Sequence, residues 1–410
     1  MSNRPAPLAG VRIIELSIAG PAGATTHLAD LGAEVIKVEP PTGDYIRGMT
    51  WPIIDGTSLM HLHLNRGKRS ITLDLRTPEG ADVFRDLVRD ADIVLEAMRP
   101  GALERRGLGY DALRVVNPRL VFCTVSGYGA TGPYQSMPSH GIAYDTWAGV
   151  VAPEVDDEGF TYIPEHVSIG IYAAPMLAAM TMLAAVIRAR TSGEGSFIDI
   201  AQSDAAAFFD WYRSETWMAY ERPEDEVTGN KADGYQRRAP GTAGMREGVR
   251  YQIYACTDGH VLFMASEQAF WRNFCDSVGR PDLFERWPGS PIADHARGNR
   301  ELQTELRAIF ATRTAAEWIA FSDEANTPIA PVNSPRSVVD DPQFKDRFTV
   351  LDHGEHGADM LGFPAHFRDE ELPAPSKAPT VGQHTTEVLI NLLGYDADRL
   401  QALRQAGALG

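Results

Sequence analysis

Val11-Arg12-Ile13-Ile14-Glu15-Leu16, then Gly20-Pro21-Ala22-Gly23, then Leu31-Gly32-Ala33-Glu34-Val35-Ile36-Lys37-Val38-Glu39, is the stretch that decides the fold. The first run reads as a buried strand and the Gly-Pro run as a tight turn. Thr25 to Leu31 is helical, Gly32 stops it, and Val35 to Val38 is a second strand. The alternation continues. Thr77-Pro78-Glu79-Gly80 starts a helix running to about Arg89, with Thr as cap and Pro in the first turn. Asp92 to Glu96 and Leu120 to Val125 are further strands. This pattern predicts an α/β fold with a doubly wound, Rossmann-like parallel sheet. Ligands in such sheets sit at the carboxyl ends of the strands. Ser17–Gly23, Arg99–Gly101 and Ser126–Gly132 all follow strands, so they are expected to converge on one cleft, with Ser17 and Gly129 among its binding residues.

Farther along, Asp204 to Tyr220 reads as helix and Glu221 to Gly248 as a polar connector. Val249 to Ser266 is strand-like around the turn Thr257-Asp258-Gly259-His260. Trp271–Gly279, Asn299–Phe310 and Thr314–Phe321 are helical. We expect a large domain over 1–224, a smaller α+β domain over 225–330, and a C-terminal segment, 331–410, that returns to the large domain. Val167 to Ile187 carries no charge and is long enough to span a bilayer. Its alanines and Pro175 predict a buried core helix instead, and no membrane partner is expected.

The chain has 410 residues, 44% hydrophobic and 23% charged, as in an ordinary soluble enzyme. A net charge of −17 disfavours nucleic acid or an anionic membrane as partner. An anionic ligand then needs a local basic patch. Asn65-Arg66-Gly67-Lys68-Arg69, leading into the strand-like Ser70–Leu75, could supply one. Cys123, Cys256 and Cys275 are widely spaced, which points to a reducing compartment and away from disulfides or zinc. Met1–Gly10 lacks a charged-then-apolar leader pattern, so a cytoplasmic location is expected. GxxxxGK[ST], HExxH and GxSxG are absent, and the glycines of Ser126-Gly127-Tyr128-Gly129-Ala130-Thr131-Gly132 have the wrong spacing for GxGxxG. No metal and no permanently bound cofactor are expected.

Several stretches, in order, resemble the class III CoA-transferases (the carnitine-dehydratase-like, bile-acid-inducible protein F family), which also include formyl-CoA transferases and α-methylacyl-CoA racemases. They are Leu31–Glu39, Asn65–Leu75, Arg99–Tyr110, Ser126–Tyr134, Thr191–Ile200, Thr327–Asn333 and Gly382–Thr385. The resemblance implies a large α/β domain, a small domain and an interlocked homodimer. It implies acyl-CoA and a carboxylic acid as substrates. By motif position it assigns Lys68, Arg69, Arg99 and Arg105 to the phosphates or adenine of coenzyme A. Arginine and lysine suit phosphate by charge and fork geometry.

The catalytic position departs from the family. Most family transferases carry an Asp four residues before the Gly that opens the Ala-rich helix; it is acylated and then carries CoA as a thioester. Here that Gly is Gly170, and the position holds His166. Glu165 and Asp145 are the nearby carboxylates. Ser139-His140-Gly141-Ile142-Ala143-Tyr144 resembles the segment holding the histidine base of the racemase branch, and Glu267 falls on that branch's catalytic Glu. The candidate catalytic residues are therefore His166, Glu165, His140, Glu267 and Asp145. CoA transfer to a free carboxylate is the leading expectation. Racemisation by α-proton transfer and a non-catalytic CoA-binding subunit remain alternatives.

Overall fold

The structure is a computed structural model that describes residues 4–50, 52–231, 234–237, 245–291 and 293–410. The chain forms two compact units, one of residues 1–211 with 347–410 and one of residues 212–346. Of the C-terminal segment 331–410, residues 347–410 belong to the first unit and 331–346 to the second.

In the first unit, six strands form one sheet: β1 (Arg12–Leu16), β2 (Glu34–Glu39), β3 (Lys68–Thr72), β4 (Ile93–Glu96), β5 (Val121–Ser126) and β6 (Ser196–Ala201). Their spatial order is β6-β5-β4-β1-β2-β3, and every pairing is parallel. This is the doubly wound order, with its switch point between β1 and β4. The central strands are apolar on both sides because helices cover both faces. One face packs Ile14, Ile36, Val94 and Phe122 under α3 (Pro78–Arg89), α4 (Tyr110–Val116) and the C-terminal helices Thr385–Asn391 and Ala397–Gln405. The other packs Ile13, Val35, Leu95 and Cys123 under α1 (Ala22–Asp30), an apolar helix Ile169–Ser192 and the helix Gln202–Phe209, while α2 (Leu59–Asn65) leads into β3.

The expected starts and stops have visible causes. The Thr77 hydroxyl accepts from Gly80 N–H at α3, with Pro78 in the first turn. Ile169–Ser192 holds the alanines foreseen as core; Ala174, Ala178 and Met182 are buried, and Pro175 is tolerated inside it. It is the one helix among the described residues long and apolar enough to cross a membrane, and half of it is buried within the protein. At Gly170 other backbone comes close, and a Cβ there would lie 2.8 Å from the Gln202 carbonyl oxygen. A Cβ on Gly20 would lie 2.6 Å from Ile171 Cγ2, so the β1–α1 turn needs glycine there. The expected single helix Asp204–Tyr220 is two, Gln202–Phe209 and Trp211–Tyr220, broken at Asp210.

In the second unit, the hairpin Tyr251–Ala255 and His260–Met264 pairs antiparallel, and Ile329–Pro331 adds a third strand. An aromatic core of Phe263, Trp271, Phe274, Phe310 and Trp318 supports it. Asn299 and Thr314 cap the helices Arg300–Phe310 and Ala315–Glu324, the latter with a full capping box. Residues 232–233 and 238–244 of the expected connector lie outside the described residues.

Candidate active site

Two clefts open at the carboxyl ends of the first unit's strands. The larger, about 730 Å³, runs over the ends of β1 and β2 and is bordered by Arg76, Arg99, Arg105 and Arg106. The smaller, about 290 Å³, is lined by Tyr128, His140, Tyr144 and Ile171 among others. They share Ile18, Tyr45, Ala97, Met98 and Arg99. The shared wall sits at the switch point, where chains leaving β1 and β4 diverge and leave a crevice.

The structure sorts the expected cations into two groups. Arg99 and Arg105 are exposed on the larger cleft and have no ion-pair partner among the described residues. Lys68 and Arg69 are instead engaged by carboxylates of the chain itself. Lys68 is fully buried, with Nζ 2.8 Å from Glu15 Oε2 and donating to the Ala22 carbonyl. Arg69 is committed to Glu34 and Glu387, each at 2.8 Å. Arg66 forms a buried fork on Asp30. The basic run that reads as an anion patch is neutralised internally, by Asp30 of α1, Glu15 of β1, Glu34 of β2 and Glu387 of the C-terminal helix Thr385–Asn391.

Glu15 is the centre of this network. It is fully buried and contacts Lys68, Lys37, Thr25 and Ser17. Burial by itself would raise its carboxyl, but the two ammonium groups more than offset that and hold it below the usual carboxylate range. Lys37 also reaches Asp44 at 3.1 Å and the Ser17 carbonyl at 2.5 Å. Ser17 is buried, donates to Glu15 and lines the larger cleft. Gly129 lines neither cleft; its φ of +86° makes a turn in which Asp199 accepts the Ala130 N–H.

The candidate catalytic residues of the first unit do not share a cleft lining. His140 is exposed and lines the smaller cleft. Asp145 is fully buried; its Oδ1 accepts Gly170 N–H at 2.9 Å and so caps the helix Ile169–Ser192, whose own cap residue Ser168 makes no side-chain bond. Asp145 Oδ2 faces His166 Nε2 at 3.8 Å, and His166 Nδ1 lies 3.0 Å from the Pro164 carbonyl. That carbonyl can only accept, so Nδ1 carries the proton of the bond. Neither Asp145 nor His166 lines either cleft. Glu165 is exposed. Glu267 lies in the second unit as the exposed cap residue of the helix Gln268–Ser277, without a capping side-chain bond. Sequence reading missed the junction residues Met98 and Tyr45 and the buried Glu96. Their signal was position alone, at or just beyond the ends of β4 and β2.

The chain matches the family model described as CoA-transferase family III over residues 8–385. It is 31% identical to the succinate–glutarate CoA-transferase of Agrobacterium fabrum, covering 96% of this chain and 97% of that protein. It is 30% identical to the succinyl-CoA–L-malate CoA-transferase beta subunit of Chloroflexus aurantiacus, covering 97% of each. A solved structure of a CAIB/BAIF family protein from Brucella suis superposes with a TM-score of 0.74 at 26% identity, covering 94% of this chain and 99% of that one. A doubly wound sheet with a two-part cleft at its switch point, together with these likenesses along nearly the whole chain, establishes that this protein belongs to CoA-transferase family III, enzymes that move coenzyme A between an acyl-CoA and a carboxylic acid.

Proposed function

We propose that the larger cleft holds the nucleotide end of an acyl-CoA, that the thioester reaches the smaller cleft across the Met98 junction, and that CoA passes there to a free carboxylic acid. The observation that carries this reading is the pair of unpaired arginines, Arg99 and Arg105, on a cleft continuous with a second one. Glu165 is the covalent carrier, since it is an exposed carboxylate, whereas Asp145 is buried and half committed as a cap and His166 is an imidazole; it stands outside the lining of the smaller cleft, so the thioester carbonyl extends beyond that lining to meet it. Its carboxylate attacks the thioester carbonyl and expels CoA thiolate, giving a mixed anhydride. The thiolate attacks the glutamyl carbonyl, releasing the first acid and leaving a glutamyl-CoA thioester. The acceptor carboxylate displaces the thiolate to form a second anhydride, and the thiolate returns to the acceptor's carbonyl, freeing Glu165.

The test is mass spectrometry of an acyl-CoA panel incubated with enzyme and mixed carboxylic acids in deuterated water. CoA on a new acid supports transfer. A one-dalton gain at the α-carbon without exchange supports proton transfer by His140 instead. Neither change points to a subunit that needs a partner, as the word "subunit" in the name of the Chloroflexus relative suggests. In the active enzyme, the double variant Arg99→Ala/Arg105→Ala is expected to raise KM for acyl-CoA about 100-fold, with kcat changed less than about threefold. An unchanged KM would remove the nucleotide from this cleft.

The same reading includes a homodimer. Tyr172, Met176, Met180 and Ile187 form an exposed apolar stripe along the helix Ile169–Ser192, and Phe208 and Phe209 are exposed on the next helix. Light scattering at micromolar concentration is expected to give twice the chain mass, and Met176→Glu/Met180→Glu to give a monomer; a wild-type monomer would refute it. Three free cysteines, two of them buried, fit a cytoplasmic enzyme.

A further inference from the structure

Glu96 ends β4 with a buried carboxyl group that has no ion-pair partner among the described residues. Its Oε1 accepts from the Thr124 hydroxyl, and its Oε2 accepts the Met98 N–H at 2.7 Å. The sheet register sets Glu96 beside Thr124 and Thr124 beside Asp199. In-register residues of parallel strands share a face. Glu96, Thr124 and Asp199 therefore form one polar row across β4, β5 and β6. Each end of the row holds one loop, because Asp199 Oδ2 accepts the Ala130 N–H at 2.9 Å. The loop held by Glu96 is the wall common to both clefts, Ala97-Met98-Arg99.

We propose that Glu96 is a positioning residue: its carboxyl group fixes Met98 and Arg99 at the junction of the two clefts, and its ionisation sets how firmly acyl-CoA is held. A structural carboxylate needs no such place. The ordinary solution for a buried acid is a cation partner, and Glu96 has instead a backbone N–H of the loop that meets the ligand. The titratable groups facing it are Asp199 from β6 and Glu104 from the turn Glu104–Arg106; Cys123 of β5 lies on the opposite face of the sheet, within electrostatic reach. Burial pushes the carboxyl up to about 7, partly offset by the Thr124 and Met98 hydrogen bonds and reinforced by Glu104 and Asp199. The ionised form makes the stronger, charge-assisted bond to Met98 N–H. The turn thus tightens as pH rises through neutrality. The folded pKa lies above the ordinary 4.5, so the stability contribution has the opposite sign: it is full below pH 4.5 and is lost as pH rises through 7.

The inference rests on CoA occupying the larger cleft, which the Arg99/Arg105 variant tests separately. The experiment is steady-state kinetics for acyl-CoA from pH 6 to 8 on wild type, Glu96→Ala and Glu96→Gln, with thermal melts at pH 5 and 8. Glu96→Ala is expected to raise KM about tenfold with kcat within about threefold. In wild type, KM is expected to fall about threefold from pH 6 to 8. Glu96→Gln keeps an acceptor for Met98 N–H, so its KM at pH 6 should match wild type and stay flat to pH 8. It should melt higher than wild type at pH 8 and level with it at pH 5. An unchanged KM in Glu96→Ala, or a Glu96→Gln pH profile that follows wild type, would overturn the proposal. If KM responds to Glu96→Ala but not to the arginine variant, the fault lies in placing the nucleotide and not in the role of Glu96.

Discussion

Glu15→Gln is expected to destabilise the first unit by about 3–5 kcal/mol, the cost of breaking a buried ion pair from one side. The change keeps the shape of the side chain. What it removes is the charge between Lys68 at 2.8 Å and Lys37 at 3.4 Å, and both ammonium groups are almost fully buried. Lys37 would keep Asp44, but Lys68 would be left with the Ala22 carbonyl. Urea unfolding followed by circular dichroism measures the effect, and a loss below about 1 kcal/mol would show the network to be neutral in stability. The same network predicts the acid limb of stability. Glu15 is held below its ordinary 4.5, so its contribution is present above that pH and is lost as pH falls through the folded value. His61 and His63 act earlier. Burial pushes each down to about 4 from 6.5, so the unfolded chain takes up protons first and stability declines between those values.

Glu165→Gln is expected to lower CoA transfer about 10³-fold or more, since an amide cannot take the place of a nucleophilic carboxylate. The exposed position of Glu165 means that folding should be untouched, and its melting temperature should match wild type within about 1 °C. Trapping with hydroxylamine, followed by peptide mass spectrometry, is expected to label residue 165 in wild type after addition of acyl-CoA and to label nothing in the variant. Retention of activity within tenfold would exclude Glu165. Label on Asp145 would show that the buried carboxylate, with its Oδ2 facing His166, becomes exposed during turnover.

The order of elements was legible because each rests on local causes. The βαβ reading of Val11–Glu39 follows from apolar runs and the Gly20 and Gly32 breaks, and α3 begins at the Thr77 cap with Pro78 behind it. Arg99 and Arg105 were legible as cations beside a cleft because they follow a strand end, and strand ends at a switch point face the crevice. Lys68 and Arg69 were not. Their sequence neighbours say nothing of Glu15, Glu34 or Glu387, which reach them only through strand pairing and through the C-terminal helix. Asp145 likewise carries a sequence signal of an acid near a core helix, whereas its capping of Gly170 is a contact made across 25 residues.

The sequence by itself determined that this chain builds a doubly wound parallel sheet, where its strands end, and that its motifs are those of a CoA-transferase. Periodicity, caps and turn residues act over a few neighbours and survive in any context. Only the tertiary structure decided which charges are free for a ligand, and that Glu96 ties a backbone loop instead of a cation. A charge is spent or available according to what lies within about 4 Å of it, and those neighbours come from strands and helices far away in the chain.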